Sequence, residues 1–311
     1  MITDLLSASV LIGILTSGIR LATPYLYAAI GETFGQRSGV LNLGVDGIML
    51  LGAYAGYYTV IATGNLLVGL LAAMVVGGLM GVAMAFISVT LQAEQGISGI
   101  GIYLFGLGLS DLLFQKTLAT VVTVQGFRPV PVPVLSNIPV IGGIFFSHNV
   151  LVYGAYLLVP IAWFVLHKTT LGLKIRAVGE NPAAADSLGV SVAGVRYLTV
   201  TLGGVLSGIA GASLSIALLN VFQQNLTNGL GFIAVALVYF GGWRPAGILF
   251  GALLFSMVNA LQVWVQVLGI PVPSDIAVMM PYVLTIIVLV LSVQRVRQPT
   301  ALARPYERGL S

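Results

Sequence analysis

Apolar residues run along this chain in long blocks, at 5–30, 40–61, 66–91, 97–118, 150–166, 195–219, 232–242, 246–268 and 276–293. A helix needs about 20 apolar residues to cross a bilayer, and most of the blocks have that length. They predict an all-α bundle of membrane-spanning helices, with about nine crossings and a range of eight to ten. The block at 232–242 is too short for a straight crossing. It reads as a crossing extended from Leu226, broken, or re-entrant, and such backbone needs protein or a water-filled cavity around it.

The polar connections differ in character. Residues 32–39 (ETFGQRSG) and 92–96 (QAEQG) read as short links; the second joins antiparallel neighbours. Residues 125–149 are Pro-rich, with Pro129, Pro131, Pro133 and Pro139, and cannot form a straight helix. Residues 167–194 are the longest polar segment. Gly pairs four apart recur (Gly52 and Gly56, Gly77 and Gly81, Gly204 and Gly208, Gly247 and Gly251), and predict close helix packing within one subunit.

Composition agrees with this pattern. Of 311 residues, 58% are hydrophobic and 7% charged, against about 25% charged in soluble chains. That excludes an ordinary soluble enzyme, a disordered chain and a nucleic-acid partner. The first four residues carry no positive charge, so the first block is expected to be retained as a span rather than cleaved as a signal peptide.

The 13 Lys and Arg side chains against 9 Asp and Glu report orientation. With the 168–194 segment and the 295–311 tail in the cytoplasm, the inside holds Arg37, Lys168, Lys174, Arg176, Arg196, Arg244 and the tail arginines. The outside holds Lys116 and Arg128. Residues 1–311 thus read as one membrane domain with a cytoplasmic loop, a cytoplasmic tail and an external N-terminus.

Catalytic chemistry is sparse. There is no cysteine, so no disulfide, zinc-thiolate site or thiol catalysis. No GxxxxGK[ST] phosphate loop occurs. His148 and His167 fall at opposite faces and cannot share a metal. No cofactor, metal or catalytic residue is implied. Arg20, Asp46 and Asp111 are the candidate ionisable residues inside the spans, a thin set for ion coupling; Asp46 also suits the positive end of a helix.

Two groups carry the functional reading. In 169–194 (TTLGLKIRAVGENPAAADSLGVSVAG), Asn181 is a favoured N-cap, Pro182 a favoured first helical residue, and Gly189 a stop. A helix of about two turns over 181–188 follows, too short to stand alone in water; it is expected to dock. The second group is a polar set suited to an uncharged ligand's path. Asn259, Gln262 and Gln266 share a helical face, Asn42 and Asp46 form a similar pair, and Tyr25, Tyr103, Tyr239 and Tyr282 offer rings.

The run from Arg176 to Val190, RAVGENPAAADSLGV, resembles the coupling helix of permease subunits in ABC importers. The branch it matches is that of ribose and branched-chain amino-acid permeases. Residues 35–54 (GQRSGVLNLGVDGIMLLGAY) and 229–255 (GLGFIAVALVYFGGWRPAGILFGALLF) resemble that branch's other signatures. The NLGVDG and FGGWRP forms lean toward nucleoside importers served by a basic-membrane-protein type receptor. Where the sugar branch carries an acidic residue after the Gly-x-Gly, this chain has Phe232-Ile233-Ala234.

The resemblance implies a multi-pass subunit of the cell membrane that forms half of a translocation pore. It implies a separate cytoplasmic ATPase, an extracytoplasmic substrate-binding protein, and a second permease chain, a paralogue rather than a second copy. Arg176, Gly179, Glu180, Asn181, Pro182, Ala184, Asp186, Leu188 and Gly189 would form the ATPase contact. Alternative readings are a permease for simple sugars or branched-chain amino acids and, from another class, an ion-coupled secondary transporter using Asp46 or Asp111.

Overall fold

A computed structural model describes residues 7–269, 273, 279, 280, 283, 286, 287, 290 and 297–307. Among them, seven helices are long and apolar enough to cross a membrane. The helices, in chain order, are α1 (Ala8–Arg37), α2 (Val45–Thr63), α3 (Leu66–Ala85), α4 (Gln95–Thr117), α5 (Ile141–Phe145), α6 (Val150–Lys168), α7 (Thr170–Glu180), α8 (Pro182–Ser187), α9 (Val192–Ser213), α10 (Leu230–Phe240) and α11 (Pro245–Val267). Helices α3 and α9 each end in a widened π turn, Phe86–Thr90 and Leu214–Leu218. The expected crossing at 276–293, Tyr282 and the tail residues Arg295 and Arg308 lie mostly or wholly outside the described residues.

Helix α9 is the centre of the bundle and lies against α1, α2 and α3. Glycines permit this. A Cβ on Gly77 would stand 2.3 Å from the Gly204 carbonyl oxygen, and one on Gly52 would stand 2.6 Å from the Gly208 Cα. Backbones at that approach leave no room for a side chain. All four glycine pairs seen in the sequence pack within the subunit, Gly247 and Gly251 against Gly241 and Phe240. On α3, Leu67, Leu71, Val75 and Leu79 are all exposed; the spacing of four makes one apolar stripe, suited to lipid.

Two links differ from their sequence reading. Residues 32–37 continue α1 instead of forming a loop: Glu32, Gln36 and their neighbours are sealed by packing, so their polarity does not end the helix. The 168–194 segment is also mostly helical. Thr169 Oγ1 accepts from Gly172 N–H at 3.1 Å and starts α7, while Ile175 and Val178 enter the core.

The short apolar block forms a short helix preceded by irregular backbone. After α9, residues 219–229 run without helix, through left-handed backbone at Asn220, Asn225, Asn228 and Gly229; Asn and Gly tolerate that conformation best. Phe222 is fully buried against Tyr54, Tyr57 and Phe114, and Thr227 is fully buried too. Phe222, Leu226 and Thr227 thus anchor the irregular stretch in protein, while Gln223, Gln224, Asn225 and Asn228 stay exposed. Helix α10 follows. Its 11 residues span about 16 Å at about 1.5 Å each, roughly half a hydrocarbon core.

At the far end, the Pro-rich excursion carries two short antiparallel strands, β1 (Val130–Pro131) and β2 (Ser147–His148). Backbone bonds from Val124 N–H to the Asn220 carbonyl and from Phe127 N–H to the Ile216 carbonyl tie it to the α9–α10 connection.

Candidate functional site

The arginine-rich face holds the candidate lever. Asn181 adopts extended backbone between α7 and α8, and its Oδ1 accepts from Ala184 N–H at 3.0 Å. Pro182 occupies the first helical position. Gly189 ends the turn with φ +81°, and its N–H donates to the Asp186 carbonyl. Every cap read from the sequence is therefore in place. Helix α8 sits on the body through Ala185, which is buried, while Leu188 is 84% exposed. An apolar side chain at that exposure, on the tip of a helix too short to be stable alone, is a ready contact for another protein.

The lever is rooted in the bundle. A Cβ on Gly179 would lie 2.0 Å from the Arg37 carbonyl oxygen, so the end of α7 meets the end of α1 backbone to backbone. The tail straps this junction. Ala301 N–H donates to the Gly179 carbonyl and Ala303 N–H to the Gly39 carbonyl, and Thr300 Oγ1 donates to Glu180 Oε2 at 3.0 Å. Arg196, expected as a loop-end charge, is instead 1% exposed. It donates from Nε to the Ser38 carbonyl and from Nη1 to the Arg304 carbonyl. Arg176 is half-buried and donates to the Gly172 carbonyl. The end of α7, immediately before α8, is thus joined to the α1–α2 turn and the tail.

That turn leads to a buried polar cluster which sequence reasoning missed. Glu32 Oε1 accepts from Gln36 Nε2 at 3.0 Å and from Asn42 N–H at 2.9 Å. Gln36 Oε1 accepts from Trp243 Nε1 at 2.7 Å, and Arg37 Nε donates to the Trp243 carbonyl at 3.0 Å. The available signal was the four-residue spacing of Glu32 and Gln36, which places both on one helix face.

Asp46 is fully buried. Its Oδ1 accepts from Gly231 N–H at 2.7 Å and its Oδ2 from Thr227 Oγ1 at 2.9 Å. It lies in the first turn of α2 and caps the first turn of α10, so one carboxylate meets two positive helix ends. Asn42 Oδ1 accepts from Gly44 N–H at 2.8 Å. Both side chains are closed to solvent in this conformation and hold backbone. Tyr239 packs edge-on against Trp243, ring centroids 4.8 Å apart. Asn259 and Gln262 are half-buried and Gln266 is exposed along α11. The structure thus brings Asn42, Asp46 and Tyr239 to the α1–α2–α10 junction and leaves the α11 trio as a separate polar face.

Other ionisable groups are dispersed. Arg20 is exposed on α1. Asp111 Oδ1 is buried with no hydrogen-bond partner. Among the described residues, no three His, Asp or Glu side chains gather to hold a metal ion.

Comparison with known proteins bears on the same residues. The model of a family described as the permease component of branched-chain amino acid transport systems matches residues 14–289. A Haloferax volcanii permease provisionally named for glucose ABC transport is 37% identical, covering 96% of this chain and 98% of its own. A guanosine ABC transporter permease of Bacillus subtilis is 34% identical over 93% and 94%. A nucleoside ABC transporter permease of Lactococcus lactis is 36% identical over 90% and 92%. No solved structure matches.

Proposed function

This chain belongs to the family of permease components of branched-chain amino acid transport systems, and on that premise we propose that it forms half of the pore of an ABC importer for nucleosides. It is a multi-pass membrane transport component. A separate cytoplasmic ATPase supplies the energy, an extracytoplasmic binding protein delivers the substrate, and a paralogous permease completes the pore. The observation that carries the reading is the capped α8, which presents Leu188 outward and follows directly on the end of α7, itself set backbone to backbone on α1 at Gly179. Closure of the ATPase pair would push α8 and rotate α1 and α9 about the Gly179–Arg37 contact, a rigid-body transmission.

Nucleosides are favoured by two relatives of similar identity, one named for guanosine and one for nucleosides. Along the path of such a ligand, the α11 trio offers hydrogen bonds on one face and Tyr239 a ring on another; Asn42 and Asp46 act through the backbone they position. The glucose-named relative keeps a sugar as the second reading. The test is ATP hydrolysis by the reconstituted complex with its binding protein, in the presence of guanosine or glucose. Stimulation by guanosine alone is expected; stimulation by glucose alone would replace the nucleoside assignment with the sugar one.

A further inference from the structure

Beside the root of the lever, Arg37, Arg244, Arg297 and Glu180 line one cavity of about 550 Å³, walled by Phe240 and the Gly241–Gly242 turn. Three guanidiniums face it against one carboxylate, an excess of two positive charges. Arg176 and Glu180 are also within coulombic reach of Arg37. The carboxylate is engaged, since Glu180 accepts from Thr300, and only one of Arg37's five donors goes to the Trp243 carbonyl.

The positive-inside tendency explains arginines on this face. It does not explain their convergence from three parts of the chain, the end of α1, the α10–α11 turn and the tail, on one hollow. Like charges brought together repel unless an anion lies among them. Guanidinium forks match phosphate oxygens in pairs, and basic pockets between helices at the cytoplasmic surface suit phospholipid head groups. The Phe240 wall gives the hollow an apolar side.

We propose that this cavity binds a phosphate-bearing anion, with the phosphodiester of an anionic phospholipid as the source. The phosphate would join α1, the α10–α11 turn and the tail, and so brace the base of α8. This site is independent of what the pore carries.

The test uses the full-length chain in detergent and native mass spectrometry, with phosphatidylglycerol, phosphatidylcholine and inorganic phosphate as probes. Phosphatidylglycerol is expected to outbind phosphatidylcholine. The double variant Arg244→Gln, Arg297→Gln should weaken it by about tenfold, the worth of one or two charge-assisted bonds, with phosphatidylcholine unchanged. Persistence in millimolar inorganic phosphate supports the lipid source. Displacement by inorganic phosphate supports the phosphate site and transfers its source to solution. Equal binding of the two lipids, or a preference untouched by the variants, overturns the proposal. Loss of ATPase assembly with lipid binding intact also overturns it, by assigning the cavity to a protein partner. If the double variant does not fold, Arg297→Gln alone, on the exposed tail side chain, reads the same change at severalfold.

Discussion

Asp46 and Gly231, 185 positions apart, are joined by a hydrogen bond of 2.7 Å from the Gly231 N–H to the Asp46 carboxylate. The bond completes the start of α10: the Leu230 N–H donates to the Thr227 carbonyl and the Phe232 and Ile233 N–H groups to the Gly229 carbonyl, while the Gly231 N–H is taken by the Asp46 carboxylate. A water-exposed helix would leave such groups to solvent; at this depth a side chain must satisfy them.

Asp46→Leu leaves the Gly231 N–H and the Thr227 hydroxyl unpaired in a sealed site. The expected loss is about 1–3 kcal/mol for each stranded group. Asp46→Asn keeps an acceptor for Gly231 and should cost less. Thermal unfolding of the purified chain in detergent checks the order: wild type, then Asn, then Leu. A Leu variant as stable as wild type would remove the capping role.

The lever depends on its cap. Asn181→Ala removes the acceptor for Ala184 N–H and is expected to cost about 1 kcal/mol of local helix stability, enough to fray two turns. Membrane insertion should stay intact while substrate-stimulated ATP hydrolysis falls severalfold; Asn181→Ser should restore most of it. Glu180→Lys should lower coupling similarly, by reversing the charge held by Thr300. Gly179→Trp is the harsher probe, since any side chain there displaces the Arg37 carbonyl.

The excursion at the opposite end carries a pH dependence. His148 is buried, and its Nε2 donates to the Ile144 carbonyl at 2.7 Å. Burial holds its pKa below the ordinary 6.5, and the nearby Arg20 charge acts in the same direction, against the Ile144 bond. The undocked state therefore binds a proton more readily than the docked one, and stability rises with pH. The contribution is complete above the ordinary value and is lost as pH falls through the lowered one. Hydrogen exchange over residues 141–148, corrected for intrinsic rates, should be faster at about pH 5 than at about pH 7.5. His148→Gln should flatten the difference.

Much of this was legible in the sequence for physical reasons. Spans announce themselves by length and hydropathy, and Asn181, Pro182 and Gly189 specify α8 through local chemistry that needs no partner. What the sequence hid is tertiary. Glu32 and Gln36 look like a polar link until Asn42, across the α1–α2 turn, and Trp243, far along the chain, are seen to share their hydrogen bonds. Asp46 reads first as a helix-start residue and second as a pore carboxylate, and its partners Thr227 and Gly231 lie too far along the chain for the sequence to supply them. Helix α7 has its stop at Asn181-Pro182, but its own helical state depends on burial of Ile175 and Val178. Arg196 looks like a cytoplasmic loop charge because the tail that covers it lies more than a hundred residues away.

The chain has no cysteine, so Leu188→Cys introduces a single thiol at the tip of the lever. Treating sealed, oriented vesicles containing the full transporter with a short thiol-to-amine crosslinker tests the central claim most directly. The account predicts a crosslink from Cys at 188 to the ATPase subunit, with yield that changes on ATP binding, and labelling by an impermeant reagent from the cytoplasmic side alone. Labelling from the external side, with no ATPase adduct in either nucleotide state, would contradict it.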